Sequence, residues 1–235
     1  FITGNAVRLA AAVVREALVG SAAEALDLSP ERLVFRDGYV YDRERPERRL
    51  SFDEVVELAR REGKILRAER VYTSPPTVPL GQTGDVHFAF GYATQAAEVE
   101  VDMNTGEVRV LRVLAVHDVG RAINPLAITG QIEGGVVMGL GLALKEEFPM
   151  EHGQPTVADL ARYHLSTIED MPEIIPIIVE EPTTAGPYGA KGIGEITSIP
   201  TAPAIINAIS RACGVRIYEI PATPERVLAT LNRKP

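Results

Sequence analysis

A glycine-rich loop that ends in a carboxylate is the part of this sequence best suited to chemistry. It reads Gly-Ala-Lys-Gly-Ile-Gly-Glu over residues 189–195. Its three glycines allow positive φ values and a close approach to a ligand, with backbone N–H groups free to hold an anion. A glutamate beside bound negative charge is costly unless it has a function. We therefore interpret Glu195 as a candidate proton acceptor; a flexible loop with a solvated Glu195 is the alternative.

The commoner motifs do not fit the spacing of this loop. A phosphate-binding P-loop needs Gly-Lys-Ser/Thr, but Lys191 is followed by Gly192. Thr197 stands where a dinucleotide fingerprint needs its third glycine. There is no Gly-x-Ser-x-Gly turn, and the histidines lack the spacing of metal ligands. His117 and Asp118 are adjacent on a predicted strand and point to opposite faces, which favours structural roles. The sequence predicts no metal-binding side chain.

Composition and charge exclude several classes of function. The 235 residues carry a net charge of -8, which argues against nucleic acid or an anionic membrane as the main partner. The single Cys213 excludes an internal disulfide, a cysteine-based zinc site and an iron–sulfur cluster within the chain, and a cytoplasmic location is expected. No membrane span is predicted, because the apolar run that begins at Gly130 is too short and is interrupted by Glu133 and followed by Lys145.

Hydrophobic periodicity and turn signals predict an α+β fold with mixed, largely antiparallel sheets built from hairpins and packed helices. The signals include an Asp-Gly turn at 37–38 and a Ser51–Glu54 capping box. The predicted elements are helices over 4–27, 51–63, 201–212 and after Thr223, a hairpin over 33–41, and strands over 64–74, 86–103, 107–117 and 174–180. We expect one domain over 1–235. It could consist of two lobes, 1–75 and 76–235.

The apolar run over 130–144 contains many glycines, although each glycine in a helix costs about 1 kcal/mol relative to alanine. Such a run indicates that something lies close against the backbone. Tight packing on a sheet and contact with a ligand both explain it.

Four ordered motifs together resemble a known family. They are Val-Glu-Val-Asp with Thr-Gly-Glu-Val (99–108), His-Asp-Val-Gly-Arg…Asn-Pro (117–125), Gly-Gln-Ile-Glu-Gly (130–134) and the 189–195 loop. The ensemble resembles the C-terminal region of the molybdenum-binding subunit in the xanthine dehydrogenase/aldehyde oxidase family of molybdenum hydroxylases. The likeness covers nearly the whole chain, although Ile196 stands where family members often have proline or serine, which leaves the substrate open.

The resemblance implies roles for particular residues. Glu195 corresponds to the general base that activates a metal-bound oxygen for hydroxylation of an electron-poor carbon, and Gln131 to a glutamine that hydrogen-bonds the pterin. The loop against the cofactor comprises Ala190, Lys191, Gly192, Ile193 and Gly194. Lys191 could offset cofactor charge, but a solvated side chain is the commoner state of a loop lysine.

The resemblance also implies a cofactor and partners. The cofactor is molybdopterin with molybdenum, as the plain pterin or the cytosine dinucleotide, and the metal is held by the pterin. The partners are the N-terminal half of the same subunit, iron–sulfur and flavin (FAD) subunits or domains, and a small-molecule substrate. We expect an oxidoreductase that is inactive as the isolated 235 residues. The alternative is a non-catalytic assembly or binding module that holds no cofactor.

Overall fold

The computed structural model describes residues 1–157 and 159–232 and divides the chain into two compact units, Phe1–Phe88 and Ala89–Pro235. Each unit combines helices with a three-stranded sheet, which confirms the predicted α+β class. The helices are α1 (Ile2–Leu26), α2 (Phe52–Arg61), α3 (Pro125–Leu144), α4 (Leu160–Tyr163), α5 (Thr201–Cys213) and α6 (Pro224–Leu231). The strands are β1 (Leu33–Arg36), β2 (Tyr39–Asp42), β3 (Arg49–Ser51), β4 (Ala93–Val101), β5 (Val108–Asp118), β6 (Met150–Glu151), β7 (Gln154–Pro155) and β8 (Glu173–Val179).

The first unit follows its local signals closely. Asp37 and Gly38 both have positive φ and form the turn between β1 and β2, which pair antiparallel. Ser51 Oγ accepts a hydrogen bond from the amide of Glu54, whose carboxylate accepts one from the amide of Ser51, so the predicted capping box opens α2. The apolar sides of α1 and α2 meet β1 and β2 in a core that includes Leu18, Val40 and Val55.

One predicted strand of this unit is absent. Residues 64–74 form neither helix nor strand. Ile65 and Val71 are 80% and 84% exposed, so the apolar side chains of this segment are not packed against another part of the described chain. The prolines at 75 and 76 cannot donate to a sheet, which also works against a ladder here. The strand predicted from residue 86 is shorter than expected, because strand pairing starts only at Ala93, opposite His117.

The second unit is a sheet covered by two long helices. Its strand order is β4-β5-β8, with β4 antiparallel and β8 parallel to the central strand β5. The turn between β4 and β5 contains Gly106 at φ 76°, a conformation that favours glycine. Val113 of β5, Ile132 of α3 and Ile205 of α5 are fully buried in one core. Because β5 ends at Asp118 and α3 begins at Pro125, their connection lies at one end of the sheet.

Helix α3 is the apolar, glycine-rich run of the sequence. Its 20 residues have a mean hydropathy of 1.4, and among the described residues it is the one helix long and apolar enough to cross a membrane. The argument from its length was therefore wrong. Ile132 and Val136 are fully buried against other core residues, as expected of a core helix.

Candidate functional site

The loop 189–195 is fastened to the connection between β5 and α3 by backbone hydrogen bonds. The carbonyl oxygen of Gly189 accepts from the amides of Arg121 at 3.0 Å and Thr183 at 3.1 Å. The amide of Lys191 donates to the carbonyl of Val119 at 2.8 Å. Gly120, at φ 67°, lies so close that a Cβ there would collide with the Gly189 carbonyl oxygen. Two distant stretches of sequence therefore form one structure.

Gln131 lies beside the same loop. It extends from the first half of α3, and its Nε2 donates a hydrogen bond to the carbonyl oxygen of Gly194 at 3.0 Å. Thr197 Oγ1 donates to the same oxygen at 3.0 Å. The first of these hydrogen bonds fixes the side-chain amide of Gln131 on the residue that precedes Glu195. No partner for its own carbonyl oxygen is found among the described residues.

A cavity of about 370 Å³ opens between α3 and the loop. Its walls contain five of the six residues predicted to contact a ligand: Gln131, Ala190, Lys191, Ile193 and Gly194. The sequence interpretation missed the other residues on its walls: Val119, Arg121, Ile123, Asn124, Ala127 and Ile128. The signal for the first four was present, because they lie within 117–125, one of the four motifs. Gly192 and Glu195 do not line the cavity, and both are exposed.

The backbone of the loop is open to a ligand. A Cβ at Gly192 or Gly194 would meet nothing within 4 Å. Across residues 1–157 and 159–232, no protein acceptor pairs with the amides of Gly192, Ile193 or Gly194. Unpaired amides on an open glycine loop suit a ligand that carries hydrogen-bond acceptors or negative charge. Arg121, which forms no ion pair with the described residues, adds a cation to the wall.

The ammonium of Lys191 is not solvated. It lies 2.5 Å from Asp118 Oδ2, and the two side chains are only 10% and 9% exposed. The interpretation of Lys191 as a solvated loop lysine is therefore wrong. Burial by itself would raise the pKa of Asp118, but the hydrogen bonds from Lys191 and from the amide of Gly120 outweigh it and hold that pKa below its usual value.

His117 is fully buried in the central strand β5. Neither ring nitrogen makes a hydrogen bond of good geometry within the described residues. Burial lowers its pKa, whereas the backbone groups of Ala115 and Ile196 act in the opposite direction and do not compensate. A neutral imidazole therefore packs behind the loop, and it forms no acid–base pair with Asp118, whose partner is Lys191.

A larger cavity, of about 1040 Å³, lies elsewhere in the second unit. Residues of the β4–β5 hairpin and of 169–173 line it, and none of the predicted site residues does. Its walls carry acidic side chains, among them Glu100, Asp102 and Glu107. Size alone does not identify a site. The smaller cavity is the one that the predicted site residues line, and no cluster of metal-binding side chains is found in the described part of the chain.

The sequence is similar to a protein-family model and to several known proteins. Residues 1–172 match the family model described as "Molybdopterin cofactor-binding domain". The chain is 32% identical to the nicotine 6-hydroxylase large subunit of Paenarthrobacter nicotinovorans, over 97% of this chain and 28% of that protein. It is 34% identical to a putative xanthine dehydrogenase molybdenum-binding subunit of Escherichia coli (strain K12), over 97% of this chain and 30% of that protein.

A solved structure is similar in fold as well as in sequence. Quinoline 2-oxidoreductase from Pseudomonas putida 86 superposes with a TM-score of 0.75 and 30% identity, over 95% of this chain and 29% of that one. The chain spans less than a third of the length of the curated relatives it matches.

Proposed function

Since this chain belongs to the molybdopterin cofactor-binding domains of the xanthine dehydrogenase/aldehyde oxidase family of molybdenum hydroxylases, we propose that the cavity between α3 and the 189–195 loop holds part of the cofactor. The observation that carries the proposal is the convergence of Gln131 and the loop on one cavity. The proposed catalytic base is Glu195, at the end of that loop.

The residues present fit such a cofactor. The amides of Gly192, Ile193 and Gly194 are unpaired and accessible, so they can donate to the polar edge of a pterin or to its phosphate. The side-chain carbonyl of Gln131 is available as an acceptor, because its Nε2 is already fixed on Gly194. The Arg121 guanidinium can neutralise phosphate charge. When bound, the molybdenum cofactor supplies oxygen transfer to carbon and takes up the two electrons.

Glu195 contributes a proton acceptor to this arrangement. Its backbone is held, because its carbonyl oxygen accepts from the amide of Ser198 at 3.1 Å and from Ser198 Oγ at 2.9 Å. Its carboxylate is exposed and is free to face a bound group. A carboxylate oxygen that takes a proton during the reaction acts as a general base, a role that typically contributes about 10²- to 10⁴-fold in rate.

The wider setting belongs to the same proposal. We expect the chain to act as part of a cytoplasmic oxidoreductase that hydroxylates an electron-poor carbon of a small molecule. The remaining part of the subunit, and iron–sulfur and flavin domains or subunits that carry electrons away, complete the enzyme. We take 1–235 as one functional domain, and the cofactor as either the plain pterin or its cytosine dinucleotide.

The test is Glu195→Gln in the complete enzyme. Glutamine keeps the size of the side chain but cannot accept the proton, so kcat should fall by about 100-fold or more. Molybdenum bound per subunit should stay unchanged, because the loop amides and Gln131 are untouched. Steady-state kinetics and elemental analysis of the same preparations measure the two quantities.

The matched control is Glu169→Gln, the same change at an exposed glutamate of the other cavity. It should leave kcat and metal content as in the wild type. Wild-type turnover in Glu195→Gln would sink the base assignment and favour a non-catalytic binding module. Loss of molybdenum in Glu195→Gln alone would assign the carboxylate to cofactor binding instead.

A further inference from the structure

The most buried ion pair of the described residues joins the candidate loop to the end of the sheet. Lys191 and Asp118 are each 10% exposed or less, whereas in every other ion pair at least one partner is 29% exposed or more. Burying two charges is costly and rarely stabilises a protein more than apolar side chains would. A buried pair at this position therefore calls for a reason other than stability.

The carboxylate of Asp118 is fixed on both oxygens. Oδ2 accepts from Lys191 Nζ at 2.5 Å, and Oδ1 accepts from the amide of Gly120 at 2.9 Å. The backbone of Asp118 is fixed too, because its amide donates to the carbonyl of Tyr92 at 2.9 Å. The Tyr92 ring lies 5.7 Å from the Lys191 ammonium. Asp118 is thus a fixed point to which the long side chain of Lys191 is bound.

On the other side of the loop, Thr197 forms a second anchor. It is fully buried, and its carbonyl accepts from Gln95 Nε2 at 2.8 Å. Thr201 Oγ1 donates in turn to Gln95 Oε1 at 2.7 Å, so the sheet and α5 hold this end. Between the anchors, Gly192 and Gly194 have open space where a Cβ would be, Ile193 packs against the core, and the Gly194 carbonyl accepts from Gln131 and Thr197. The anchor at Lys191 sets where this short segment begins.

We propose that Asp118 and Lys191 are positioning residues for Glu195. Their ion pair fixes the N-terminal anchor of the loop, and with it the direction in which the Glu195 carboxylate points. The inference rests on the proposed function of Glu195 and adds to it. It also gives Lys191, which lines the cavity, a role for its side chain in holding the loop.

The experiment compares variants of the complete enzyme. Asp118→Asn and Lys191→Met each leave one partner unpaired, and the double variant removes both charges. The probe is whichever of xanthine, nicotine, quinoline and benzaldehyde the wild type oxidises fastest, with ferricyanide as electron acceptor. The readouts are kcat, KM, molybdenum per subunit and the midpoint of thermal unfolding.

Each single variant should lower kcat by about 10- to 100-fold, since displacing a reacting group by about 1 Å can cost 100-fold. KM and metal content should stay within about twofold of the wild type if substrate and cofactor binding are preserved. The double variant should regain most of the unfolding midpoint, because no charge is left buried alone, while its kcat stays low. That separation is one a purely structural pair would not give.

The matched control is the pair Lys145–Asp170, also Lys to Asp at 2.5 Å in the second unit, with 29% and 34% exposed side chains. Lys145→Met and Asp170→Asn should leave kcat as in the wild type. Recovery of kcat together with the midpoint in the Asp118/Lys191 double variant, or a fall in kcat proportional to lost molybdenum, would overturn the inference.

Glu195→Gln separates this inference from the proposed function. If that variant keeps full turnover, both fail. If it loses turnover while Asp118→Asn keeps the wild-type kcat, only the positioning role fails.

Discussion

His117 and Asp118 follow one another at the end of β5, and burial disfavours the charged form of both, so it acts on their pKa values in opposite directions. For His117, desolvation lowers the pKa and the neutral imidazole is favoured. For Asp118, desolvation acts toward a higher pKa, but Lys191 and the Gly120 amide replace the lost water and the pKa ends below its usual value. A buried group keeps its charge only where donors compensate for lost hydration. One neutral and one ionised group therefore stand side by side.

The neutral state of His117 predicts a loss of stability in mild acid. The imidazole titrates near pH 6.5 when unfolded and at lower pH when folded, so the unfolded chain binds more protons as pH falls below about 6.5. The free energy of unfolding should fall from pH 7 to pH 5 more steeply in the wild type than in His117→Leu. Denaturant titrations at several pH values measure this.

Asp118 does not interfere in that range. Its lowered pKa gives stability that is present above about pH 3.9 and is lost only as pH falls further, so it stays ionised from pH 7 to pH 5. Equal pH slopes in the wild type and in His117→Leu would show that folding does not lower the pKa of His117.

Helix α3 uses its glycines in two different ways. Gly135 and Gly139 face inward and let Thr197 and Thr201 lie directly against the helix. Gly130 and Gly134 face outward, where a Cβ would meet nothing within 4 Å. The two interpretations of the run, packing against neighbours and contact with a ligand, therefore need not exclude each other. The inward glycines set the distance between α3 and α5, and this distance brings Gln131 to Gly194.

Alanine scanning at adjacent positions tests this division. A Cβ at Gly135 would lie 2.5 Å from Thr197 Cβ and 2.9 Å from the Thr197 carbonyl carbon, so Gly135→Ala should destabilise the fold by about 1–3 kcal/mol. Gly134→Ala, the matched control, should stabilise it by about 0.5–1 kcal/mol through helix propensity. Chemical denaturation of both variants gives the two free energies. Effects of the same sign and size would contradict the inward packing.

The candidate site on the second unit of the molecule is open and largely apolar. The cavity of about 370 Å³ is bordered by exposed apolar residues such as Ile123, and a Cβ would find open space at Gly130, Gly134, Gly192 and Gly194. Relatives that match the whole chain are more than three times as long. An open half-cleft is what one side of a larger cofactor site would present.

This openness predicts weak cofactor binding by the 235 residues alone. We expect a folded preparation of this chain, isolated after expression with an active cofactor supply, to contain well under one molybdenum per chain, because one wall cannot exclude water from the cofactor. Circular dichroism and cooperative unfolding verify the fold, and elemental analysis measures the metal. Stoichiometric molybdenum would mean that this wall alone is a sufficient site.

Features that depend on residues close together in the chain could be predicted from the sequence. The Asp37–Gly38 turn and the Ser51–Glu54 capping box formed as expected, since each arises from φ preferences or hydrogen bonds within a few positions. The strand predicted over 64–74 failed, because a strand also needs a partner and alternation does not supply one. The four motifs sufficed to recognise the family.

The arrangement of the site required the tertiary structure. Motif content alone did not reveal that Lys191 would bind Asp118, 73 positions away, or that Arg121 and Asn124 would share a cavity with Gln131. A loop lysine is usually solvated. The charge of Lys191 can be buried here only because the loop packs against the end of β5, where Asp118 compensates it. Contacts between distant residues depend on how strands and helices stack, and a short stretch of sequence carries no record of that stacking.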